Sequence, residues 1–294
     1  MVIAILGAGY IGTALCAELT AAGHSVTLFS REALTNNFGQ AAHIQGDALV
    51  GFAEHLGEKA YDAICFCICP ISPGKPFESG PSEQFYRDAF RRLAKFVKHR
   101  TSSHFIYFSS GGAIYGDIPK GRAHESTSCR PIDPYGMLKL SEEAFLDCLF
   151  EDDKRRLLKI RPSNPYSRAQ SSKSGVGFVA ACIECATHGR PINILGDGFN
   201  TRDYIRLADL VTTCSALIMG RSHGTFNVGS AAGFTQLEVV EMVGEVLGTA
   251  LQVKHSPARE GDVRRIVLNV DKLLRETSCK PMMSLRDGIQ ELLR

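Results

Sequence analysis

Tyr135 and Lys139 stand four residues apart in DPYGMLKLSEEAFL, a spacing that puts both side chains on one face of a helix. Asp133 is suited to cap that helix and Pro134 to open it, so Tyr135 is expected at its positive end. A free tyrosine, with a pKa of about 10, is a poor base at neutral pH. A nearby ammonium and a helix N-terminus both stabilise phenolate, so the pair is expected to bring the phenol toward the working range of an acid/base. A second stretch, FSSGGAIYGD, sets two serines against two glycines after an apolar run. The stretch is either a loop that turns the chain or the end of a strand that carries chemistry. Ser109 and Ser110 could also do no more than end that strand and bond its backbone.

A third signal lies at the start of the chain. In ILGAGYIG, Gly7, Gly9 and Gly12 form GxGxxG between an apolar run and a helical one. Gly7 permits the tight turn, Gly9 lets a pyrophosphate approach the backbone, and Gly12 lets helix and strand pack closely. Tyr10 and Ile11 fall inside the loop and are counted with the dinucleotide contacts, and the helix N-terminus faces the phosphate charge. At the end of the second strand an acid would bind the ribose 2′-hydroxyl, but SVTLFSREAL holds Ser30 and then Arg31. A hydroxyl and a guanidinium suit a 2′-phosphate, so NADP is favoured over NAD. NAD stays open if Arg31 points to solvent and Glu32 takes the ribose. Asp47, after the third strand, is either an adenine contact or a turn-forming residue.

These residues need a frame to hold them, and the chain alternates short apolar runs with amphipathic helices over its first half. That rhythm predicts an α/β fold, a Rossmann-type doubly wound parallel sheet. After Pro165 it changes to a loop over 166–177 and further helices beginning near 235 and 283. The expected organisation is a dinucleotide-binding domain over 1–165 with a returning segment near 203–228, and a smaller C-terminal α/β substrate lobe over 166–202 and 229–294.

Length and composition fit a folded enzyme. The chain has 294 residues, 44% hydrophobic and 22% charged, with a formal net charge of +2. That balance is too even to call for nucleic acid. The helix over 82–99 is basic on one face, where Arg87, Arg91, Lys95 and Lys98 stand opposite Tyr86, Phe90, Leu93 and Val97, which reads as a solvated surface. The N-terminus reads as a strand entering a turn rather than a signal peptide, and no apolar run reaches the roughly 18 residues of a membrane span. A cytoplasmic protein is expected, its ten cysteines free thiols. Cys65, Cys67 and Cys69 are expected on one face of a buried strand. The CxxC of Cys182 and Cys185 lies in an apolar helix without metal-like partners, so no metal site is expected.

Taken together, GAGYIG, SSGGAIYG, PYGMLK, RPSNPY, ILGDGFNTRDYIRLADL, FNVGS and REGDV resemble, in order and over nearly the whole chain, the extended short-chain dehydrogenase/reductase family. Its members are NAD(P)-dependent epimerases, dehydratases and reductases of nucleotide sugars. The resemblance implies that Tyr135 is the catalytic acid/base and that Lys139 holds the nicotinamide ribose and lowers the Tyr pKa. It implies that Asn164 contacts a nucleotide-diphosphate sugar whose diphosphate is held by Arg202 and Arg259. Arg202 could instead form a surface ion pair with the adjacent Asp203. Two departures stand out: the glycine loop is one residue shorter than the family's GxxGxxG, and the family's catalytic Ser/Thr seat, four residues before Tyr115, is Gly111. Either Ser110, another hydroxyl such as Thr127, or a water fills that role, or the enzyme works with Tyr135 alone. The dehydratases' Asp-Glu pair is replaced by Gly112 and Ala113, which disfavours dehydration. Between a 4-ketoreductase and a 4-epimerase, Arg31 and the short second lobe tilt toward the reductase; a binding or sensing protein is a third reading. A homodimer through the helices over 82–99 and 134–150 is the family's habit.

Overall fold

A computed structural model describes residues 1–34, 39–57, 59–73, 81–100, 102–168, 177–279 and 282–293. Most of the loop expected over 166–177 lies outside the described residues. Six apolar runs become strands β1 (Val2–Leu6), β2 (Ser25–Ser30), β3 (Ala42–Gln45), β4 (Ala63–Phe66), β5 (His104–Phe108) and β6 (Leu157–Pro162). β4, β5 and β6 are buried along their whole length, as strands covered on both faces must be. After β6 come β7 (Asn164–Tyr166), β8 (Ile192–Leu195), β9 (Thr201–Arg206), β10 (Gly224–Val228), β11 (Gly233–Thr235), β12 (Val253–Ser256) and β13 (Arg265–Ile266).

The large sheet runs β10-β6-β5-β4-β1-β2-β3, and every pairing in it is parallel. Strand order reverses between β1 and β4, so the crevice above their C-terminal ends is the switch point where such sheets bind ligands. Helices cover both faces: α1 (Tyr10–Ala21) on one, α2 (Phe52–Leu56), α3 (Pro81–His99) and α4 (Pro134–Leu149) on the other. α5 (Phe178–Thr187), α6 (Leu207–Met219), α7 (Gln236–Leu247), α8 (Asp271–Glu276) and α9 (Leu285–Leu292) complete the chain. α6 packs on α1 and leads into β10, which pairs with β6 at the edge of the large sheet. β9, which precedes α6, pairs instead with β7, β11 and β13 in the smaller sheet. α5, α7 and α9 close a separate core around Val179, Cys182, Val239, Val243 and Ile289.

The basic helix keeps its predicted apolar face, but the opposite face is solvated only in part, since Arg87 and Lys98 are half-buried and paired with Glu83 and Asp152. Tyr86, Phe90, Leu93 and Val97 of α3 are buried, while Arg91 and Lys95 are exposed. The cysteines depart from expectation: β4 ends at Phe66, so only Cys65 is in the strand and fully buried. Cys67 and Cys69 lie beyond its end, half-buried. No helix among the described residues is long and apolar enough to cross a membrane.

Candidate active site

A cavity of about 540 Å³ opens between the C-terminal ends of the large sheet and the smaller sheet. Tyr10, Cys69, Ser110, Tyr135 and Lys139 line one wall, and Asn164, Arg202 and Arg259 the other. These candidates from distant parts of the chain thus meet around one space, whereas Gly7, Gly12, Ser30, Arg31 and Asp47 are not among its lining residues.

Tyr135 owes its position to the start of α4. The Asp133 carboxylate accepts a hydrogen bond from the Gly136 N–H at 2.8 Å and Pro134 opens the helix, as the cap pattern predicts. A Cβ at Gly136 would lie 2.8 Å from the Ala113 carbonyl, so glycine here lets the helix start sit directly on the loop after β5. Ser110, on that loop, hydrogen-bonds the Tyr135 side chain. One turn along, Lys139 is buried; its Nζ donates to the Phe108 carbonyl at 2.9 Å and stands 4.9 Å from the Tyr107 ring centre. The expected lowering of the phenol's pKa is not what the protein alone produces. Burial outweighs the opposing Lys139 charge and pushes Tyr135 up to about 12. Lys139 resists its own burial, because Cys69, Glu142 and Tyr135 hold its proton affinity above the ordinary value.

The apparent gap at Gly111 has a geometric answer. A Cβ there would lie 2.6 Å from Leu268 Cδ1 and 2.9 Å from the Arg161 carbonyl, so it would drive into a packed wall. Ser109 and Ser110 line the cavity; Gly111 does not. Thr127 is committed elsewhere, its hydroxyl accepting from the His124 N–H at 2.9 Å. Ser110 is therefore the hydroxyl beside Tyr135. Gly112 leaves room for Asn164, whose Oδ1 would be 3.4 Å from a Cβ at that position.

Beneath these groups the polar network is closed. Arg161 grips Glu143 with two hydrogen bonds of 2.9 and 2.6 Å and donates to Tyr115 at 2.8 Å; Tyr115 in turn donates to Asn227 at 2.7 Å. Tyr115, prominent in the sequence, is thus a foundation for the site.

The glycine loop fits a dinucleotide. Gly7 has φ +107°, and a Cβ on it would lie 2.9 Å from Ile68 Cγ1. A Cβ on Gly12 would come within 2.0 Å of the Gly7 carbonyl, whereas one on Gly9 would meet nothing within 4 Å. The first and third glycines are needed for packing, and the second faces open space at the N-terminus of α1, where a phosphate can approach. Ile11 lines the cavity too, and the Tyr10 hydroxyl donates to the Ser167 hydroxyl, just after β7, at 2.9 Å. At the end of β2, Ser30 contacts His43 Nε2 at 2.7 Å and also bonds the Glu32 carbonyl. Arg31 and Glu32 are exposed. Asp47 accepts from the Leu49 N–H at 2.9 Å, the turn-forming alternative.

On the opposite wall Asn164 Nδ2 donates to the Asp203 carbonyl at 3.0 Å, and Arg259 donates to the Pro73 carbonyl at 3.3 Å. Arg202 does not pair with Asp203. It pairs with Asp262 at 2.7 Å, while the buried Asp203 carboxylate accepts from Ser230, Ala231 and Leu268 and fastens the loop after β10. Asp262 is the one carboxylate among the described residues that line the cavity. Cys67, Cys69, Asp262 and Glu142 are additions that sequence reasoning missed. Asp262 lies in the REGDV motif; the others carried no signal that separated them from core or surface.

The NAD dependent epimerase/dehydratase family model matches residues 3–229. The UDP-glucose 4-epimerase of Mycolicibacterium smegmatis is 27% identical over 296 residues, covering 96% of this chain and 94% of that protein. A dTDP-4-dehydro-6-deoxyglucose reductase of Escherichia coli is 27% identical, over 64% of this chain and 60% of its own length. Among solved structures, the Thermus thermophilus UDP-glucose 4-epimerase in complex with NAD superposes with a TM-score of 0.87 at 26% identity, covering 98% of this chain and 96% of that one. With a family match over most of its length and a glycine loop, a Tyr–Lys pair and a cavity lined from both sheets to go with it, this chain is an enzyme of the NAD dependent epimerase/dehydratase family.

Proposed function

We propose that the chain is a nucleotide-sugar 4-epimerase, most simply acting on a UDP-hexose, with Tyr135 as acid/base, Lys139 and Ser110 as its partners, and NAD or NADP held along the Gly7–Gly9–Gly12 loop. The observation that carries the reading is the Tyr135–Ser110–Lys139 cluster facing Arg202 and Arg259 across one cavity. End-to-end likeness to UDP-glucose 4-epimerases supports the epimerase over the reductase, whose relative matches only part of the chain. When bound, the oxidised dinucleotide supplies the hydride acceptor and a positive charge near the site.

Tyr135 takes the proton of the C4 hydroxyl as the C4 hydride departs, and returns it when the hydride comes back to the other face of the 4-keto sugar. Lys139, charged and fixed to the Phe108 carbonyl, stabilises the phenolate. Ser110 hydrogen-bonds the same sugar oxygen and keeps Tyr135 aimed at it. Arg202 and Arg259 take the diphosphate, with Asp262 keeping Arg202 extended. Among the described residues the one cavity carboxylate is engaged by an arginine, and Gly112 and Ala113 carry no acid/base group, which disfavours dehydration.

The second reading, a 4-ketoreductase using NADPH, is favoured by one feature: no acid stands at Ser30, and Arg31 is free to reach a 2′-phosphate. A homodimer through α3 and α4 accords with Phe85 and Met137, which are 50% and 53% exposed there. Incubating the protein with UDP-, dTDP- and GDP-sugars, with and without a 4-keto group, and separating products by chromatography and mass spectrometry tests both readings. The epimerase interconverts UDP-hexoses without net consumption of cofactor. Stoichiometric oxidation of added NADPH by a 4-keto sugar, with no epimer formed, would replace it with the reductase.

A further inference from the structure

Glu142 is a buried carboxylate, 3% exposed, one turn after Lys139 on α4, and the mechanism so far makes no use of it. Isolating an ionised carboxylate from water is costly unless it is partnered. Its partners converge from three elements. Tyr86 of α3 donates to Oε1 at 2.7 Å, Tyr107 of β5 donates to Oε2, and Oε2 lies 3.7 Å from Lys139 Nζ. Its neighbour Glu143 points into the Arg161 network instead, so α4 presents two carboxylates with separate tasks. The Phe108 carbonyl and the Tyr107 ring also contact the ammonium, but of these three groups only Glu142 carries a full negative charge.

We propose that Glu142 is a positioning residue for the Tyr135–Lys139 pair: its carboxylate, clamped by the Tyr86 and Tyr107 hydroxyls, holds the Lys139 ammonium charged and in place on the protein side of the cavity. The inference rests on Tyr135 and Lys139 being the proton-transfer pair. The groups that face Glu142 are Tyr86, Tyr107, Lys139, Tyr135 and Cys69, the last from the stretch after β4. Its charge acts on all of them, favouring the protonated form of Lys139 and disfavouring the deprotonated forms of Tyr135 and Cys69.

The test uses Glu142→Gln, which keeps the shape and removes the charge. In protein without added cofactor, the pH dependence of iodoacetamide labelling at Cys69, followed by peptide mass spectrometry, moves down by about one pH unit. In the working enzyme both limbs of the pH–rate profile move acidward by a similar amount, and Glu142→Asp restores them. Tyr107→Phe keeps the ring but frees Oε2 for Lys139, so its alkaline limb moves the opposite way, to higher pH; this variant decides the matter if Glu142→Gln does not fold. Labelling and rate profiles that superimpose on wild type in Glu142→Gln, or an unmoved alkaline limb in Tyr107→Phe, would overturn the proposal. A Tyr135→Phe control separates the two claims, because full activity there removes the proton-transfer reading itself, whereas loss of activity there leaves Glu142 to be judged on its own variants.

Discussion

The two walls of the cavity are built differently. On the large-sheet wall Lys139 is buried, tied to a β5 carbonyl, and Tyr135 sits on a helix start seated against the loop after that strand. On the opposite wall Arg202 and Arg259 reach in from strand and loop, held by one carboxylate, Asp262, and the carbonyls of Thr201 and Pro73. A group that must exchange a proton with one sugar oxygen needs its place fixed to a fraction of an ångström. Groups that grip a flexible diphosphate need charge and reach. The difference teaches that rate should depend on the first wall and affinity on the second.

Substitutions can break that division. The largest effect is expected from Lys139→Met, which removes the charge beside Tyr135 and should lower kcat by about 10²-fold or more, measured at saturating substrate. At the foot of the same strand β5, His104 is 2% exposed, and burial, followed by the charges of Arg221, His223 and Arg156, lowers its pKa to about 4. Its folded value lies below its unfolded one, so its stabilising contribution is complete above about pH 6.5 and lost as pH falls toward 4. His104→Leu should remove as much as about 3 kcal/mol of that acid dependence in denaturant titrations across the window, while leaving the rate at neutral pH unchanged. Gly111→Ser fills the family's seat in sequence but not in space: it should cost about 1–3 kcal/mol of stability and gain no activity, as melting and rate assays would show. Arg202→Met should raise KM by about 10-fold with kcat nearly kept. An Arg202 variant that lost kcat instead would erase the distinction between the walls.

The fold was legible where local pattern determines it. Buried apolar runs between amphipathic helices dictate a parallel sheet, Asp133-Pro134 dictates the start of α4, and the spacing of Gly7, Gly9 and Gly12 dictates a turn against a strand. Illegible were the features set by partners far along the chain. Gly111 looks like an empty catalytic seat until Leu268, more than a hundred residues on, is seen to fill the space beyond it. Arg202 sits next to Asp203 in sequence, but β9 alternates its side chains, sending one to the cavity to meet Asp262 and the other into the protein. Cys67 and Cys69 continue an apolar alternation past the point where the ladder stops, so periodicity alone placed them in the core. The Tyr135 phenol shows the same limit, since a sequence announces the helpful lysine but not the burial that opposes it.

The most direct test is Tyr135→Phe, assayed for interconversion of UDP-glucose and UDP-galactose alongside its affinity for NAD. The account predicts a rate lower by about 10³-fold or more with dinucleotide binding kept. Interconversion at the wild-type rate would contradict it.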